Sequence, residues 1–139
     1  MLLATVSPLA KRLATPALGS VRTFVNKATI LGHVGQDAEV TKLTSDPNKT
    51  VVHFNVATTE YRKDAEGKFH PLTNWHRIVS WDQEKNLHLA NRVKKGYMVY
   101  VQGSIRYRTY IAKDGTEKNL TEIVLQNFQS FAPKEPKQE

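Results

Sequence analysis

Aromatic and basic residues alternate in a short segment near the middle of the chain. Trp75, Arg77, Val79 and Trp81 occupy every second position of this segment. Alternate residues of a β-strand point to the same face, so the segment predicts one face with two indoles and a guanidinium. Indoles stack on any base and a guanidinium pairs with phosphate, so this face predicts binding of single-stranded nucleic acid. The alternative is that both tryptophans pack in the core, as large aromatic side chains commonly do.

A second segment repeats the alternation. Arg106, Arg108 and Tyr110 share one face of a predicted strand, and the opposite positions hold Val99, Val101, Ile105 and Tyr107. The agreement between two segments favours a shared binding face over arginines that are merely solvated on a barrel surface. The predicted nucleic-acid site also includes an aromatic and three basic residues at the end of another strand and in the loop after it: Tyr61, Arg62, Lys63 and Lys68.

The residue pattern argues against catalytic and metal-binding chemistry. The chain has no cysteine, which excludes disulfides, thiolate zinc sites and cysteine nucleophiles. Its five histidines lack the spacing of metal-ligand motifs, and its acidic residues are dispersed rather than paired. We therefore expect no catalytic residue, no metal and no cofactor, and we interpret the chain as a binding protein rather than an enzyme.

The charge balance suits a polyanionic partner. Lys plus Arg number 20 against 13 Asp plus Glu, which gives a formal net charge of +7 and a pI near 9.7. A basic protein without such a partner is the alternative that charge alone leaves open.

The 139 residues suffice for one domain. No apolar run reaches the roughly 20 residues needed to span a bilayer, so a membrane partner is not expected.

The first 24 residues differ in composition from the rest. They carry Lys11, Arg12 and Arg22 with scattered Ser, Thr and Leu, and the first acidic residue of the chain is Asp37. This composition is typical of a mitochondrial transit peptide, and the alternative is an N-terminus without a function of its own. At the other end, Pro133 and its polar neighbours predict a short disordered tail over residues 133–139.

Period-two alternation of apolar residues dominates between these two ends and predicts strands. The predicted strands cover residues 27–34, 51–60, 72–81, 97–112 and 117–131. The first can extend after Gly35 over residues 38–43, and a charged loop is predicted over residues 62–71. Asp114 and Gly115 predict a hairpin between the last two strands.

One segment has helical spacing instead. After Asp82, a suitable N-cap, helix-forming residues run from Gln83 to Lys95 and end at Gly96. Three strands, a helix and two strands predict an all-β fold, a five-stranded Greek-key OB-fold barrel with one short helix between strands three and four. Other small α+β domains share these elements, so the function must be argued from the site.

Four ordered segments resemble bacterial and mitochondrial single-stranded-DNA-binding proteins. They are residues 25–27, residues 30–37, the Thr-Asn-Trp-His-Arg-Ile-Val segment of residues 73–79, and residues 94–103. The resemblance covers about residues 25–131, so an OB-fold domain is expected over residues 25–132. It implies a homotetramer around which single-stranded DNA wraps.

The resemblance also implies roles for individual residues. Tyr61, Trp75, Trp81 and Tyr110 match the base-stacking positions, with Tyr at 61 and 110 where bacterial members usually have Trp, and Trp at 81 where Phe is common. Arg77, Arg106 and Arg108 match positions that meet phosphates. The subunit interface would involve the first strand and a histidine: Asn26, Ile30, Gly32, Val34 and His76.

These observations together predict a sequence-tolerant single-stranded-DNA-binding protein of the mitochondrial matrix and its nucleoid. Its expected role is replication and maintenance of mitochondrial DNA, with the mitochondrial DNA polymerase and helicase as candidate partners. One alternative is an RNA-binding OB-fold domain, because the sequence does not show which sugar is preferred. A metal-dependent OB-fold nuclease is the other alternative, and it would need clustered carboxylates.

Overall fold

The computed structural model of the protein describes residues 23–134. The predicted transit peptide lies outside these residues apart from its last two positions. The predicted tail also lies outside them apart from Pro133 and Lys134, which have no regular secondary structure.

The described part of the chain forms six strands and one helix. In chain order these are β1 Ala28–Val34, β2 Glu39–Lys42, β3 Thr50–Lys63, β4 Phe69–Ser80, α1 Gln83–Arg92, β5 Met98–Ile111 and β6 Glu117–Phe131. The predicted extension of the first strand is present as β2, a separate short strand that pairs with β3. The bend between β1 and β2 covers residues 35–38 and begins at Gly35.

Five of these strands close into the predicted OB-fold barrel. The order along the sheet is β1-β5-β6-β4-β3-β2, and a further pairing between β1 and β3 closes the ring. That closure uses the pairs His33 with Ala57 and Val34 with Val56. Strands β4 and β6 pair in parallel, which brings together two segments that are distant in the sequence. The fold prediction is confirmed.

Alternate residues of the strands fill the barrel. The core consists mostly of branched apolar residues, with one aromatic residue, and every barrel strand contributes to it: Val34, Val52, Phe54, Val56, Ile78, Val99, Val101, Ile123 and Leu125 are among its members. Burial of each such side chain contributes about 1.5–3 kcal/mol. Ile78 of β4 faces this core. The alternate residues of that strand, which include Trp75 and Arg77, therefore face outward.

Helix α1 packs against the barrel and is shorter than predicted. Asp82 caps it by accepting hydrogen bonds from the amides of Glu84 and Lys85 at 3.1 and 3.3 Å. The helix ends at Arg92 rather than at Lys95, because Val93 turns to extended backbone and buries its side chain completely in the core. None of the described helical residues forms a segment long and apolar enough to cross a membrane.

The predicted charged loop of residues 62–71 is wrong in extent, because most of it is strand. Strands β3 and β4 stay paired out to Lys63 opposite Phe69, so the turn contains only residues 64–68. The Asp64 carboxylate closes the turn by accepting from the amides of Glu66 and Lys68 at 2.9 and 2.8 Å. Pro71 fits within β4 because this stretch of the strand pairs with β3 only.

Candidate nucleic-acid interface

The alternate residues of β3, β4, β5 and β6 that point away from the core form one surface, which we call the outer face. Its four predicted stacking residues are exposed, to 70% for Tyr61, 61% for Trp75, 40% for Trp81 and 43% for Tyr110. Such exposure excludes the alternative in which both tryptophans belong to the core. Val79 shares their parity but is buried, because it lies in the middle of the sheet between partners on β3 and β6.

Three arginines of the outer face converge on one carboxylate. Glu122 of β6 is 1% exposed, and its Oε1 atom accepts from the Nε and Nη2 atoms of Arg106, at 3.1 Å for Nε. The Nε atoms of Arg77 and Arg108 each lie 3.8 Å from a carboxylate oxygen of Glu122. Three guanidinium charges against one carboxylate charge leave a formal excess of two positive charges at this place.

Glu122 was not among the predicted site residues. On β6 it lies directly opposite Arg106 of β5, and the parallel pairing of Ile78 with Ile123 brings Arg77 beside it from β4. The available signal was an acidic residue inside an apolar strand segment, since a buried carboxylate requires positive or hydrogen-bonding partners. The sequence could therefore indicate that Glu122 needs a partner, but not which arginine supplies it.

Arg106 also contacts one of the tryptophans. Its guanidinium carbon lies 5.3 Å from the centre of the Trp81 ring, a cation–π arrangement. One ring face of Trp81 is therefore covered by a cation that Glu122 holds in place. A base that stacks on Trp81 must use the other ring face or displace Arg106.

A groove on the outer face is lined both by side chains that can bind phosphate and by a ring that can stack on a base. Arg77 of β4, Arg108 and Tyr110 of β5, and Leu120 of β6 line it. The groove places two guanidiniums beside a phenol ring, so a phosphate and an adjacent base could be held together. A second, shallow pocket lies beside Trp75 and is lined by Gly35, Gln36 and Asn55.

The remaining predicted binding residues lie on the β3–β4 hairpin. Lys63 shares the parity of Tyr61 and places its ammonium 5.8 Å from the ring centre of Phe69. Arg62 has the opposite parity and forms an exposed ion pair with Glu60 at 3.8 Å, so it does not join the outer face. Lys68 is exposed in the turn, where its amide binds Asp64.

Phe69 is a further exposed aromatic that the sequence prediction missed. It is 67% exposed and has the parity of Trp75, with Pro71 and Thr73 between them at alternate positions. The alternation of these residues could have identified Phe69, but the sequence prediction places a loop over residues 62–71. The outer face therefore continues along the hairpin to its tip.

The structure places the predicted interface residues mainly inside the protomer. Gly32 and Val34 are buried, and Ile30 packs partly against the core. Asn26 exchanges two hydrogen bonds with the backbone of Ile105, at 2.8 and 2.9 Å. Because β1 side chains alternate, its outward residues are instead Thr29, Leu31 and His33.

The fifth predicted interface residue, His76, has an intramolecular partner. Its Nε2 atom lies 2.7 Å from the Thr58 hydroxyl. It also lines a partly apolar pocket with residues of β1, including Ala28 and Ile30.

The metal-dependent alternative would need clustered carboxylates. Residues 23–134 contain no group of three or more His, Cys, Asp or Glu side chains placed to hold a metal ion. The acidic residue of the outer face, Glu122, is occupied by arginines instead.

Comparisons with known proteins identify the family to which this chain is similar. A family model described as the single-strand binding protein family matches residues 25–131. Single-stranded DNA-binding protein 1 of Chlorobaculum tepidum is 36% identical over 80% of this chain and 67% of its own length. The single-stranded DNA-binding protein of Rickettsia felis is 37% identical over 76% of this chain and 69% of its own length.

A solved structure is similar as well. An SSB of Plasmodium falciparum in complex with ssDNA superposes with a TM-score of 0.69 and 30% identity, covering 79% of this chain and 97% of that one. The family match spans the barrel, the helix and both long hairpins. The chain therefore belongs to the single-strand binding protein family.

Proposed function

We propose that this protein binds and protects single-stranded DNA without regard to base sequence. The observation that carries the proposal is the outer face, where exposed aromatic rings lie beside arginines on adjacent strands. Family membership and the ssDNA complex of the Plasmodium falciparum relative support it. The protein is a binding protein of this family and not an enzyme.

The residues divide into two roles. Trp75, Trp81, Tyr61 and Tyr110 stack on bases, each stacked base contributing about 1–3 kcal/mol. Arg77, Arg106 and Arg108 neutralise phosphates and release counterions. Both the π-face of a base and the phosphate are common to all nucleotides, so neither role distinguishes one base sequence from another.

The proposal includes assembly as a homotetramer. Residues 28–32 of β1 pair with β5 on one side only, which leaves the other backbone edge available to a second copy. A patch on the outside of β1, β5 and β6 contains exposed Leu31, Met98 and Phe131, with His33, Met98 and Phe131 in one cross-strand row. Exposed apolar side chains grouped in this way commonly mark contacts between subunits.

We further propose that the protein acts in the mitochondrial matrix, in the nucleoid, beside the mitochondrial DNA polymerase and helicase. The support is the basic, acid-free composition of residues 1–24. The mature protein should begin between Arg22 and Asn26. Mass spectrometry of the protein from isolated mitochondria tests this, and an intact Met1 there, or residence in the cytosol, would overturn it.

Titration of intrinsic tryptophan fluorescence with poly-dT tests binding. Stacking should quench the fluorescence to saturation, and the quench should reverse as salt is raised. Competition by poly-U of equal length separates a DNA-binding from an RNA-binding protein. Native mass measurement of the free protein tests the tetramer. Absence of quenching with poly-dT, or displacement by poly-U at lower concentration than by poly-dT, would overturn the proposal.

A further inference from the structure

The outer face contains a negative charge at the place where it should bind phosphates. Glu122 is ionisable and buried, and it lies among the three arginines that are proposed to meet DNA. A carboxylate repels phosphate and cancels part of the local positive charge. Its presence therefore needs a compensating benefit.

The geometry indicates what that benefit is. Three guanidinium groups that converge without a counter-charge would repel one another and adopt many side-chain conformations. Glu122 accepts two donors of Arg106 and lies 3.8 Å from one nitrogen each of Arg77 and Arg108. The carboxylate thus gathers side chains from two strands around one point beneath the surface.

The arginines keep contact with solvent although the carboxylate does not. Their side chains are 33–48% exposed, whereas that of Glu122 is 1% exposed. The Nε atom of Arg77 is buried and has no hydrogen-bond partner among residues 23–134, and the carboxylate of Glu122 is the anion that lies near it. Arg77 and Arg108 both line the groove with Tyr110.

We propose that Glu122 is a positioning residue that holds Arg77, Arg106 and Arg108 as a fixed array, with the groove beside Tyr110 as a phosphate subsite. This inference rests on the proposed DNA binding and deepens it. If the arginine side chains are already ordered in the free protein, DNA binding loses less side-chain conformational entropy. Two positive charges remain uncompensated for phosphates, and the covered face of Trp81 is a consequence of the same array.

Glu122→Gln in the full chain separates this role from a purely electrostatic one. The substitution removes one negative charge from the face, so a purely electrostatic role predicts tighter binding to poly-dT and a steeper salt dependence. A positioning role predicts the opposite sign, with roughly tenfold weaker binding and a log–log salt slope flatter by ~0.7 per lost phosphate contact. Glu117→Gln is the matched control, because it makes the same charge change at an exposed position and should leave binding equal or slightly tighter.

Arg108→Lys provides a second test if Glu122→Gln fails to fold. Arg108 is about half exposed, so the substitution keeps the net charge and should keep the fold. An ordered array predicts that Arg108→Lys binds poly-dT nearly as weakly as Arg108→Ala, because an ammonium lacks the planar fork that the array orients. Native-like binding by Arg108→Lys would overturn the proposal.

The outcomes distinguish this inference from the proposed function. Circular dichroism and native mass must first show that Glu122→Gln is folded and assembled as the native protein is. Folded Glu122→Gln that binds as tightly as the native protein, or more tightly, overturns the positioning role and leaves DNA binding intact. A native protein that does not bind poly-dT overturns the proposed function itself.

Discussion

The indole of Trp75 lies against the backbone of Gly35, at the bend between β1 and β2. A Cβ atom at position 35 would lie 2.4 Å from Cζ3 and 2.8 Å from Cη2 of this indole. The backbone of Gly35 is not in the left-handed region, so the requirement for glycine is space rather than conformation. Gly35 therefore leaves the space that the exposed Trp75 ring occupies.

Gly35→Ala should displace the Trp75 ring and weaken poly-dT binding by about 1 kcal/mol, part of the ~1–3 kcal/mol of one stacked base. Fluorescence titration measures this, and the emission maximum of the free protein should shift. Because the effect acts through Trp75, Gly35→Ala should change binding little when added to Trp75→Ala. Additive losses in that pair would show that Gly35 acts in another way.

Replacement of either tryptophan should weaken binding without altering sequence preference. We expect Trp75→Ala and Trp81→Ala each to cost about 1–3 kcal/mol on poly-dT and on poly-dA. The salt slope should stay close to that of the native protein, and Trp75→Phe should retain most of the affinity. If Trp75→Ala instead unfolds the domain, as judged by thermal melting, the side chain serves the stability of the fold rather than DNA binding, and our assignment is wrong.

The arginines should give the opposite signature. Arg77→Ala and Arg108→Ala are each expected to flatten the salt dependence of binding by about 0.7 in the log–log slope. Arg106→Ala should do so too and should also lower the free energy of unfolding by about 1–3 kcal/mol, because it removes the only hydrogen bonds found for the buried Glu122 carboxylate in residues 23–134. If the salt dependence of binding is unchanged in all three variants, the arginines do not contact the phosphates of DNA.

Adjacent residues of β1 should separate assembly from folding. Leu31 is 56% exposed and points outward, so Leu31→Asp should lower the oligomer mass while the protomer stays folded. Ile30 packs on the core, so Ile30→Asp should reduce the free energy of unfolding by several kcal/mol. Native mass and thermal melting measure both effects, and a tetrameric Leu31→Asp would contradict the proposed interface.

The turn at the tip of the β3–β4 hairpin should depend on pH. A hydrogen bond from the backbone of Lys68, and then one from His70, lowers the pKa of Asp64 below its ordinary 3.8. A lowered folded pKa means that the stabilisation is present above the unfolded pKa and is lost as pH falls through the folded pKa. The difference in Tm between native protein and Asp64→Ala should thus shrink as the pH falls below 3.8, the ordinary pKa of this carboxyl group. A difference that stays the same at pH 3 would show that the carboxylate charge is not involved.

The sequence by itself determined the barrel and which side chains face outward. Period-two alternation assigns a residue to a face, and Asp114-Gly115 identifies the last hairpin, whose Gly115 has a φ of +83°. The outward parity of Trp75 and Arg77 on one strand, and of Arg106 and Arg108 on another, follows from the same rule. The charged composition of residues 62–71 concealed the outer part of the β3–β4 hairpin, because exposed strands far from the core need no apolar alternation.

Only the tertiary structure decided which outward residues meet. Alternation along a strand says nothing about the register between strands that are distant in sequence. Here the parallel pairing of β4 with β6 sets that register. Glu122 consequently lies among Arg77, Arg106 and Arg108, and the β1–β2 bend brings Gly35 beneath Trp75. These contacts depend on how the inner side chains fill one closed core, a property of the whole barrel that no local pattern contains.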